Sequence, residues 1–391
     1  MDFLLKKEKP TTNKNKGSST GFYGFGLDLS SPVESVMGSI ETESNEEDYL
    51  TGLTTMFKEL PLFFVNISKV NGIMCTKNII VQWVVESVGE GVHEVVEGDT
   101  VIPFFLPDCG ECTDCLSPKS NLCSKLPFSV SPWMDRDGTS RFTNINGETL
   151  YHFLFVSSFS EYTVVDIAHL TKIDPATPAN RACLLSCEVS TGVGAAWKTA
   201  KVETGTTVAI FGLGAIGLAV AEGARLCGAK RIIGVDVNPD RFEIGKKFGV
   251  TDFVNSRNCG DKIVSQVIIE MTDGGADYCF ECVGLTSLVH EAYASCRKGW
   301  GKTVVLGADQ PGAMLTFSSF EVLHSGKTLT GALFGGIKPK TDIPLLIKRY
   351  MAKELQLDKF VTHEVDFKDI NKAFDLLTGG KCLRCVIWMN K

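Results

Sequence analysis

Four cysteines in one short stretch constrain the fold of this chain more than any other feature of its sequence. Cys109, Cys112, Cys115 and Cys123 follow the spacing Cys-x2-Cys-x2-Cys-x7-Cys. Four thiolates at about 2.3 Å from one ion form a closed tetrahedral zinc site, which pins a loop and leaves no position for a substrate. The spacing therefore predicts a structural zinc lobe. The alternatives are four free thiols in a loop and a small nucleic-acid-binding module.

The overall composition and charge favour an enzyme over a nucleic-acid-binding protein. The chain has 391 residues, enough for two or three domains, and its apolar fraction of 44% is ordinary for a globular protein. Its formal net charge is -7, whereas a protein that binds nucleic acid usually carries a basic patch or stripe. We therefore expect no nucleic-acid partner and a structural role for the zinc lobe.

The cysteine usage and the lack of long apolar runs predict a cytoplasmic protein. Several of the fourteen cysteines, including Cys227, Cys279 and Cys282, have apolar neighbours, which is typical of reduced core thiols. The N-terminus shows no signal-peptide pattern, since Phe3–Leu5 is too short for the apolar region of such a peptide. No run reaches the roughly 18 apolar residues of a membrane helix, so no membrane partner is expected.

The first 83 residues form an atypical N-terminal segment. Lys6–Gly17 is rich in Lys, Thr and Asn, and Glu41–Asp48 is an acidic run without apolar periodicity. Neither composition buries enough apolar area to offset chain entropy, so residues 1 to about 50 are expected to be disordered. Residues 59 to 83 are more apolar but carry no clear start or stop signals for helices or strands.

From Val84 onward the sequence has the pattern of short strands, and later of alternating strands and helices. Val84–Gly89 and Gly98–Pro103 are expected as strands joined by Gly-rich turns. Beyond residue 196 we expect a helix at Leu218–Cys227 and four more strands, at Thr207–Phe211, Arg231–Val235, Tyr278–Glu281 and Thr303–Gly307. Strand–helix–strand order predicts parallel pairing with right-handed crossovers, and hence an α/β fold.

A glycine motif directly follows the first of these later strands and opens the helix. It reads Gly212-Leu213-Gly214-Ala215-Ile216-Gly217, the spacing of a dinucleotide-binding loop. Gly212 would permit the tight turn, Gly214 the approach of a pyrophosphate to the backbone, and Gly217 close packing of the helix on the sheet. The helix N-terminus would offer free N–H groups to the phosphates. The alternative is that the glycines serve tight packing only.

An acidic residue ends the next strand. Asp236 lies 19 residues after Gly217, where its carboxylate would accept hydrogen bonds from the ribose hydroxyls and repel a 2′-phosphate. This position favours NAD(H) over NADP(H). Alternatively, Asp236 is a helix N-cap before Pro239. Arg241 could stack on or pair with the adenosine side of the coenzyme, or be a solvated surface charge.

Together with these motifs, the chain resembles the zinc-dependent medium-chain alcohol dehydrogenases, and among them the plant alcohol dehydrogenase-like branch. The resemblance covers residues 84 to 391. Besides the four-cysteine stretch and the glycine motif, it is carried by Val84–Gly89, Ser158–Thr163, Leu185–Gly192, Phe334–Gly336 and Leu383–Cys385.

The resemblance implies a Rossmann doubly wound parallel sheet inserted in a GroES-like β-barrel catalytic domain. The implied divisions are the atypical segment 1–83, the catalytic domain with its zinc lobe at 84–195, the NAD-binding domain at 196–334, and the return to the catalytic domain at 335–391. Because residues 1–83 do not match, the N-terminal part of the barrel is expected to be incomplete. The resemblance also implies a homodimer formed through edges of the Rossmann domains.

Three residues match functional positions of this family. Cys187 matches a ligand of the catalytic zinc, Thr191 a residue near the nicotinamide, and Arg384 a C-terminal residue near the coenzyme phosphates. Taken by itself, Cys187 would be interpreted as a buried structural thiol, so its assignment as a metal ligand rests on the resemblance.

The two other ligands of the catalytic zinc are missing. The family supplies them from a CHTD-like motif and from a GHE motif that stands shortly before Val84–Gly89. In this chain Ile79 stands where the histidine is expected, and CHTD does not occur. His93 follows the Val84–Gly89 segment, in an expected surface turn, and does not replace it. Glu188, beside the remaining ligand, stands where the family usually has glycine.

These features predict a zinc-dependent, NAD-dependent alcohol dehydrogenase-like oxidoreductase, for a primary alcohol or its aldehyde, with an incomplete catalytic zinc site. Catalytic zinc sites use three protein ligands, so a single cysteine is not expected to hold such an ion. The alternative is a non-catalytic NAD(H)-binding protein that retains only the structural zinc.

Overall fold

The computed structural model describes residues 83–144, 146–157, 162–310 and 312–388, together with the backbone of two strands at 64–68 and 73–75. The expected disorder of residues 1 to about 50, and the position of Ile79, lie outside the described residues. In the described part of the chain, no helix is long and apolar enough to cross a membrane.

The first half of the described chain builds a five-stranded antiparallel sheet and a small hairpin. Its strands are β1 (Phe64–Ser68), β2 (Ile73–Cys75), β3 (Trp83–Val88), β4 (Thr100–Pro103), β5 (Phe142–Thr143), β6 (Thr149–Leu150), β7 (Tyr162–Asp166) and β8 (Leu170–Lys172). The sheet order is β7-β1-β3-β4-β8, and β5 pairs with β6. The strand β1, whose boundaries were not predicted, lies between β3 and β7.

Short helices connect this sheet to the next one. They are α1 (Thr113–Leu116), which lies within the four-cysteine stretch, α2 (Ala179–Ala182) and α3 (Glu188–Gly194), which continues as a π-helical turn over Ala195–Ala200. The chain leaves this turn at Lys201, whose φ of 57° is left-handed. It then enters the second sheet.

The second sheet has six parallel strands in the order β11-β10-β9-β12-β13-β14. These strands are β9 (Thr207–Phe211), β10 (Arg231–Asp236), β11 (Asp252–Asn255), β12 (Tyr278–Glu281), β13 (Lys302–Val305) and β14 (Thr328–Gly331). The helices between them are α4 (Ala215–Leu226), α5 (Asp240–Lys247), α6 (Val264–Thr272), α7 (Thr286–Ser295) and α8 (Ser319–Ser325). This is the 3-2-1-4-5-6 order of a doubly wound nucleotide-binding sheet, which confirms the predicted fold class.

The last part of the chain returns to the first half. It contains α9 (Pro339–Met351), β15 (Val361–Asp366), α10 (Ile370–Thr378) and β16 (Arg384–Trp388). β16 pairs in parallel with β15 and antiparallel with β2, so that Val386 lies opposite Cys75. Strands from the beginning and the end of the described chain therefore share one three-stranded sheet.

Helix α3 packs directly against α4, the helix that follows the glycine motif. A Cβ atom at Gly192 would lie 2.6 Å from the carbonyl oxygen of Ile216, and one at Gly223 would lie 3.0 Å from the Cβ of Ala196, on the continuation of α3. Later residues of α3 thus meet later residues of α4, so the two helices run in the same direction. The two glycines permit this close approach, which fixes the start of α3 relative to the glycine loop.

Candidate functional site

The four predicted zinc ligands come together. All four Sγ atoms lie within 4.8 Å of one another. The Sγ atoms of Cys109 and Cys115 are 3.8 Å apart, and those of Cys112 and Cys123 are 3.9 Å apart. A tetrahedron with metal–sulfur bonds of about 2.3 Å has sulfur–sulfur edges of about 3.8 Å. The four thiols therefore fit a single zinc ion.

Backbone N–H groups turn toward the sulfur atoms of this cluster. Cys112 N–H donates to the Sγ of Cys109 at 3.4 Å, Cys115 N–H to that of Cys112 at 3.3 Å, and Leu126 N–H to that of Cys123 at 3.3 Å. Hydrogen bonds from the Ser124 side chain and from the Cys115 backbone lower the pKa of Cys112 to about 5, whereas burial raises the pKa of Cys115 and of Cys123. A divalent cation would reverse that rise and displace the remaining protons.

The zinc lobe is also tied to the segment that follows β14. The Lys338 ammonium donates to the carbonyl oxygen of Cys115 and, at 2.6 Å, to that of Ser117. The Asn121 amide donates to the carbonyl oxygen of Leu333 at 2.9 Å. The sequence analysis did not single out Lys338 or Asn121, because their partners lie far away along the chain. The lobe is held by these contacts as well as by its four thiols.

The three motif glycines occupy three different environments. Gly212 has a left-handed φ of 92°, and a Cβ there would lie 2.6 Å from the Cγ2 of Val283. A Cβ at Gly217 would lie 1.8 Å from the carbonyl oxygen of Gly212. At Gly214 nothing lies within 4 Å of an added Cβ. Two glycines are therefore required by the backbone, and the third leaves open space in front of helix α4.

Asp236 joins the glycine loop to the turn after β10. Its Oδ2 accepts the N–H of Leu213 at 2.8 Å, and its Oδ1 accepts the N–H of Asn238 at 2.9 Å. Helix α5 begins at Asp240 with Pro239 as its N-cap, so the alternative of Asp236 as that cap is wrong. Each carboxylate oxygen can accept a second hydrogen bond. The side chain is half-buried at the carboxyl end of its strand.

Arg241 is the second residue of helix α5 and follows Asp236 by five positions. It is half-buried, and its Nη2 donates to the carbonyl oxygen of Gly380 at 3.2 Å. This contact links α5 to the segment between α10 and β16. Arg241 is therefore more than a solvated surface charge.

Glu281 is a buried acid that the sequence analysis did not select. Its Oε1 accepts the N–H groups of Val283 and Gly284, both at 2.8 Å. This holds the turn after β12, whose Val283 side chain limits the space at Gly212. The signal in the sequence was an acid at the end of the otherwise apolar strand Tyr278–Glu281.

Cys187 immediately precedes helix α3. It is half-buried, and burial raises the pKa of its thiol to about 12. The hydroxyl of Thr191 donates to the carbonyl oxygen of Cys187 at 2.8 Å, so the two candidate residues share the first turn of α3. Among the described residues, the single group of three or more His, Cys, Asp or Glu side chains within metal-binding reach is the four-cysteine cluster, and Cys187 lies outside it.

Arg384 and Glu188 form an ion pair. Nη2 of Arg384 meets Oε2 of Glu188, and Nη1 of Arg384 donates to the carbonyl oxygen of Leu383. Both side chains are buried, with 5% of Arg384 and 4% of Glu188 exposed. From the resemblance, Arg384 was expected near the coenzyme phosphates, and Glu188 was a departure from the family. A contact between the two residues was not predicted.

Three features define the class of zinc-containing dehydrogenases. They are a parallel nucleotide-binding sheet, a glycine loop with open space before its helix, and a four-thiol lobe beside an antiparallel sheet. Two family models match the chain: the alcohol dehydrogenase GroES-like domain over residues 83–175 and the zinc-binding dehydrogenase over residues 215–350. The chain belongs to the zinc-dependent medium-chain alcohol dehydrogenase family.

Individual relatives agree with this assignment. The chain is 71% identical over 307 residues to alcohol dehydrogenase-like 7 of Arabidopsis thaliana, which covers 78% of this chain and 79% of that protein. It is 49% identical over 309 residues to alcohol dehydrogenase class-3 of Oryza sativa subsp. japonica, covering 79% and 80%. The crystal structure of benzyl alcohol dehydrogenase from Acinetobacter calcoaceticus has a TM-score of 0.72 and 26% identity, and the match covers 85% of this chain and 94% of that one.

Proposed function

We propose that this chain is an NAD(H)-binding, alcohol dehydrogenase-like oxidoreductase that holds a structural zinc ion but has an incomplete catalytic zinc site. The observation that carries this proposal is a contrast between two sites. Four thiols at tetrahedral spacing suit zinc, whereas Cys187 stands outside any group of three or more possible ligands among the described residues. The family's substrate class is a primary alcohol or the corresponding aldehyde.

The proposal of NAD(H) as coenzyme rests on the space and the hydrogen-bonding groups at the end of β9. The pyrophosphate would lie against Gly214, where the backbone is open, and in front of helix α4, whose N-terminal N–H groups favour an anion. Asp236 would accept the ribose hydroxyls and repel a 2′-phosphate. We assign Thr191 to the nicotinamide side, Arg241 to the adenosine side, and Arg384 to the phosphates. When bound, the nicotinamide supplies the hydride acceptor.

A catalytic zinc ion does not fit the residues of the described chain. Such sites use three protein ligands and keep one position open. Cys187 supplies one thiol, and Ile79 stands where the family has its histidine. We therefore expect little or no alcohol turnover. The second candidate function is a non-catalytic NAD(H)-binding protein, which the same absence of partners around Cys187 favours.

Metal content and turnover together test this proposal. We expect purified protein to contain one zinc per chain by mass spectrometry, to bind NADH, and to produce no NADH from NAD and ethanol. Cys187→Ser is expected to leave the zinc content at one, because this thiol is not part of the four-cysteine cluster. Two zincs per chain, falling to one in Cys187→Ser, with ethanol turnover, would show a complete catalytic site. Absence of NADH binding would refute the coenzyme assignment.

We propose a homodimer formed at the free edge of the six-stranded sheet. β14 is the last strand of that sheet, and large apolar side chains are exposed beside it on α8, with Phe320 69% and Leu323 77% accessible. An edge strand and a neighbouring apolar patch of this kind are typical of an interface between copies.

Replacing Leu323 by Glu is expected to convert a dimer to a monomer. A charged carboxylate at the centre of an apolar interface loses its hydration without gaining a partner, which weakens association. Light scattering after size-exclusion chromatography would measure the mass. The matched control is Val130→Glu, because Val130 is 85% exposed in a loop outside the six-stranded sheet, and this variant should stay dimeric. A monomeric parent protein, or a dimeric Leu323→Glu variant, would contradict the proposed interface.

We also propose that the chain works in a reducing compartment, the cytoplasm. Every cysteine whose side chain is described is a free thiol. This supports the interpretation made from cysteine usage, since free thiols persist where disulfides do not form.

A further inference from the structure

The geometry of helices α3 and α4 places the ion pair between Glu188 and Arg384 at the level of the glycine loop. Gly192 on helix α3 packs against Ile216 in the first turn of α4, and the two helices run in the same direction. Glu188 precedes Gly192 by four residues, which places it on the same side of α3 and about 6 Å nearer the start of the helix. This is the level of the loop that precedes α4, where the dinucleotide pyrophosphate is proposed to bind.

Two terminal nitrogens of the Arg384 guanidinium are already engaged within the protein. One terminal nitrogen faces the Glu188 carboxylate, and the other donates to the carbonyl oxygen of Leu383. A guanidinium uses the same fork of N–H groups to bind a phosphate. A phosphate approaching Arg384 must therefore replace protein acceptors, and one of these acceptors carries a full negative charge.

We propose that Glu188 competes with the coenzyme pyrophosphate for Arg384 and so sets the affinity of the chain for NAD(H). This inference rests on the proposed function, in which the pyrophosphate lies before α4 near Arg384. With Glu188 in place, the cation at this position is already neutralised, and the buried carboxylate opposes a second anion. Glu188 is therefore an affinity-determining residue of the coenzyme site, and its effect is specific to ligands that carry the pyrophosphate.

The chemistry of the residue at position 188 determines the expected result. Glutamine keeps the size of the side chain and removes the charge, and glycine removes the side chain altogether. Either change leaves the Arg384 guanidinium available to the pyrophosphate. We expect Glu188→Gln to tighten the binding of NADH and of ADP-ribose by about tenfold, which corresponds to about 1.4 kcal/mol.

Calorimetric titration of the full chain with three ligands tests this proposal. NADH and ADP-ribose carry the pyrophosphate, whereas adenosine lacks it and should bind the parent and Glu188→Gln alike. Arg384→Gln is measured in both backgrounds, and it is expected to abolish the gain in affinity in the Glu188→Gln background. This double-mutant cycle separates competition for Arg384 from a general change in the site. Glu188→Gly is the second variant, and thermal unfolding verifies that each protein is folded.

The outcomes distinguish this inference from the proposed function on which it rests. Tighter NADH and ADP-ribose binding in a folded Glu188→Gln or Glu188→Gly variant, dependent on Arg384, supports the competition. Equal or weaker binding of both ligands in the folded variants overturns it, while the NAD(H) assignment stands. If neither the parent nor any variant binds NADH or ADP-ribose, the proposed function fails and the inference fails with it.

Discussion

Replacing Cys109 by Ser is expected to remove the structural zinc ion and to lower the thermal stability of the chain. A serine hydroxyl does not replace a thiolate, and the remaining three thiols form an open site for an ion that needs four ligands. Loss of a structural metal belongs to the largest single-residue effects, about 4 kcal/mol, which corresponds to a Tm decrease of about 5 °C in a chain of 391 residues. The lobe should stay partly attached through Lys338 and Asn121.

Zinc content and thermal unfolding, measured on the same preparations, check this prediction. Cys259→Ser is the matched control, since Cys259 is a half-buried thiol outside the cluster whose Sγ lies 3.4 Å from the carbonyl oxygen of Asn255. The control should keep one zinc per chain and nearly the parent Tm. A Cys109→Ser protein with unchanged zinc content would mean that the four-thiol lobe is not the metal site.

Gly214→Ala is expected to abolish NADH binding without destabilising the fold, whereas Gly217→Ala should destabilise the fold itself. An alanine at position 214 meets no atom within 4 Å, and the backbone there is extended, so the protein accommodates it. Its methyl group occupies the space through which a pyrophosphate would reach the backbone. At position 217 the added Cβ would lie 1.8 Å from the carbonyl oxygen of Gly212, which forces the loop and α4 apart.

Thermal unfolding and NADH titration separate these two effects. We expect Gly214→Ala to keep the Tm of the parent and to lose at least about 100-fold in affinity, about 2.7 kcal/mol. Gly331→Ala serves as the control, since it also adds a methyl group to open space, but at the end of β14, three strands from β9 in the sheet. Undiminished NADH affinity in Gly214→Ala would show that the coenzyme does not approach this backbone.

Local patterns in the sequence were sufficient for four of the six parallel strands and for the zinc lobe, whereas β11 and β14 were not predicted. The strand predicted at Tyr278–Glu281 is β12 with the same bounds, because an apolar run of this length between turns leaves little freedom. The helix after the glycine motif begins at Ala215 instead of Leu218. Gly217 was expected to permit close packing of the helix, and its close contact with Gly212 is made from within the helix. The four cysteines converge because their ligand spacing is local.

Contacts between distant segments could not be predicted in this way. No ends were predicted for β1, and its position in the sheet depends on pairing with β3 and β7. In the sequence, Glu188 precedes all six strands of the parallel sheet and Arg384 follows them, yet the two residues form an ion pair. Each was noted separately, as a departure from the family and as a match to it, but only the fold brings them into contact.

Because β2 pairs with β16, the sheet that contains these two strands can be completed only late in the synthesis of the chain. Roughly 300 residues separate these strands, so at about 5–20 residues per second β2 waits about 15–60 s for its partner after leaving the ribosome. The six-stranded sheet is fully synthesised earlier and folds as a unit within this delay. Arg384 opens β16, and the nascent chain therefore forms the ion pair between Arg384 and Glu188 last. Until then an unpaired strand is exposed, which makes this interval the step most vulnerable to aggregation.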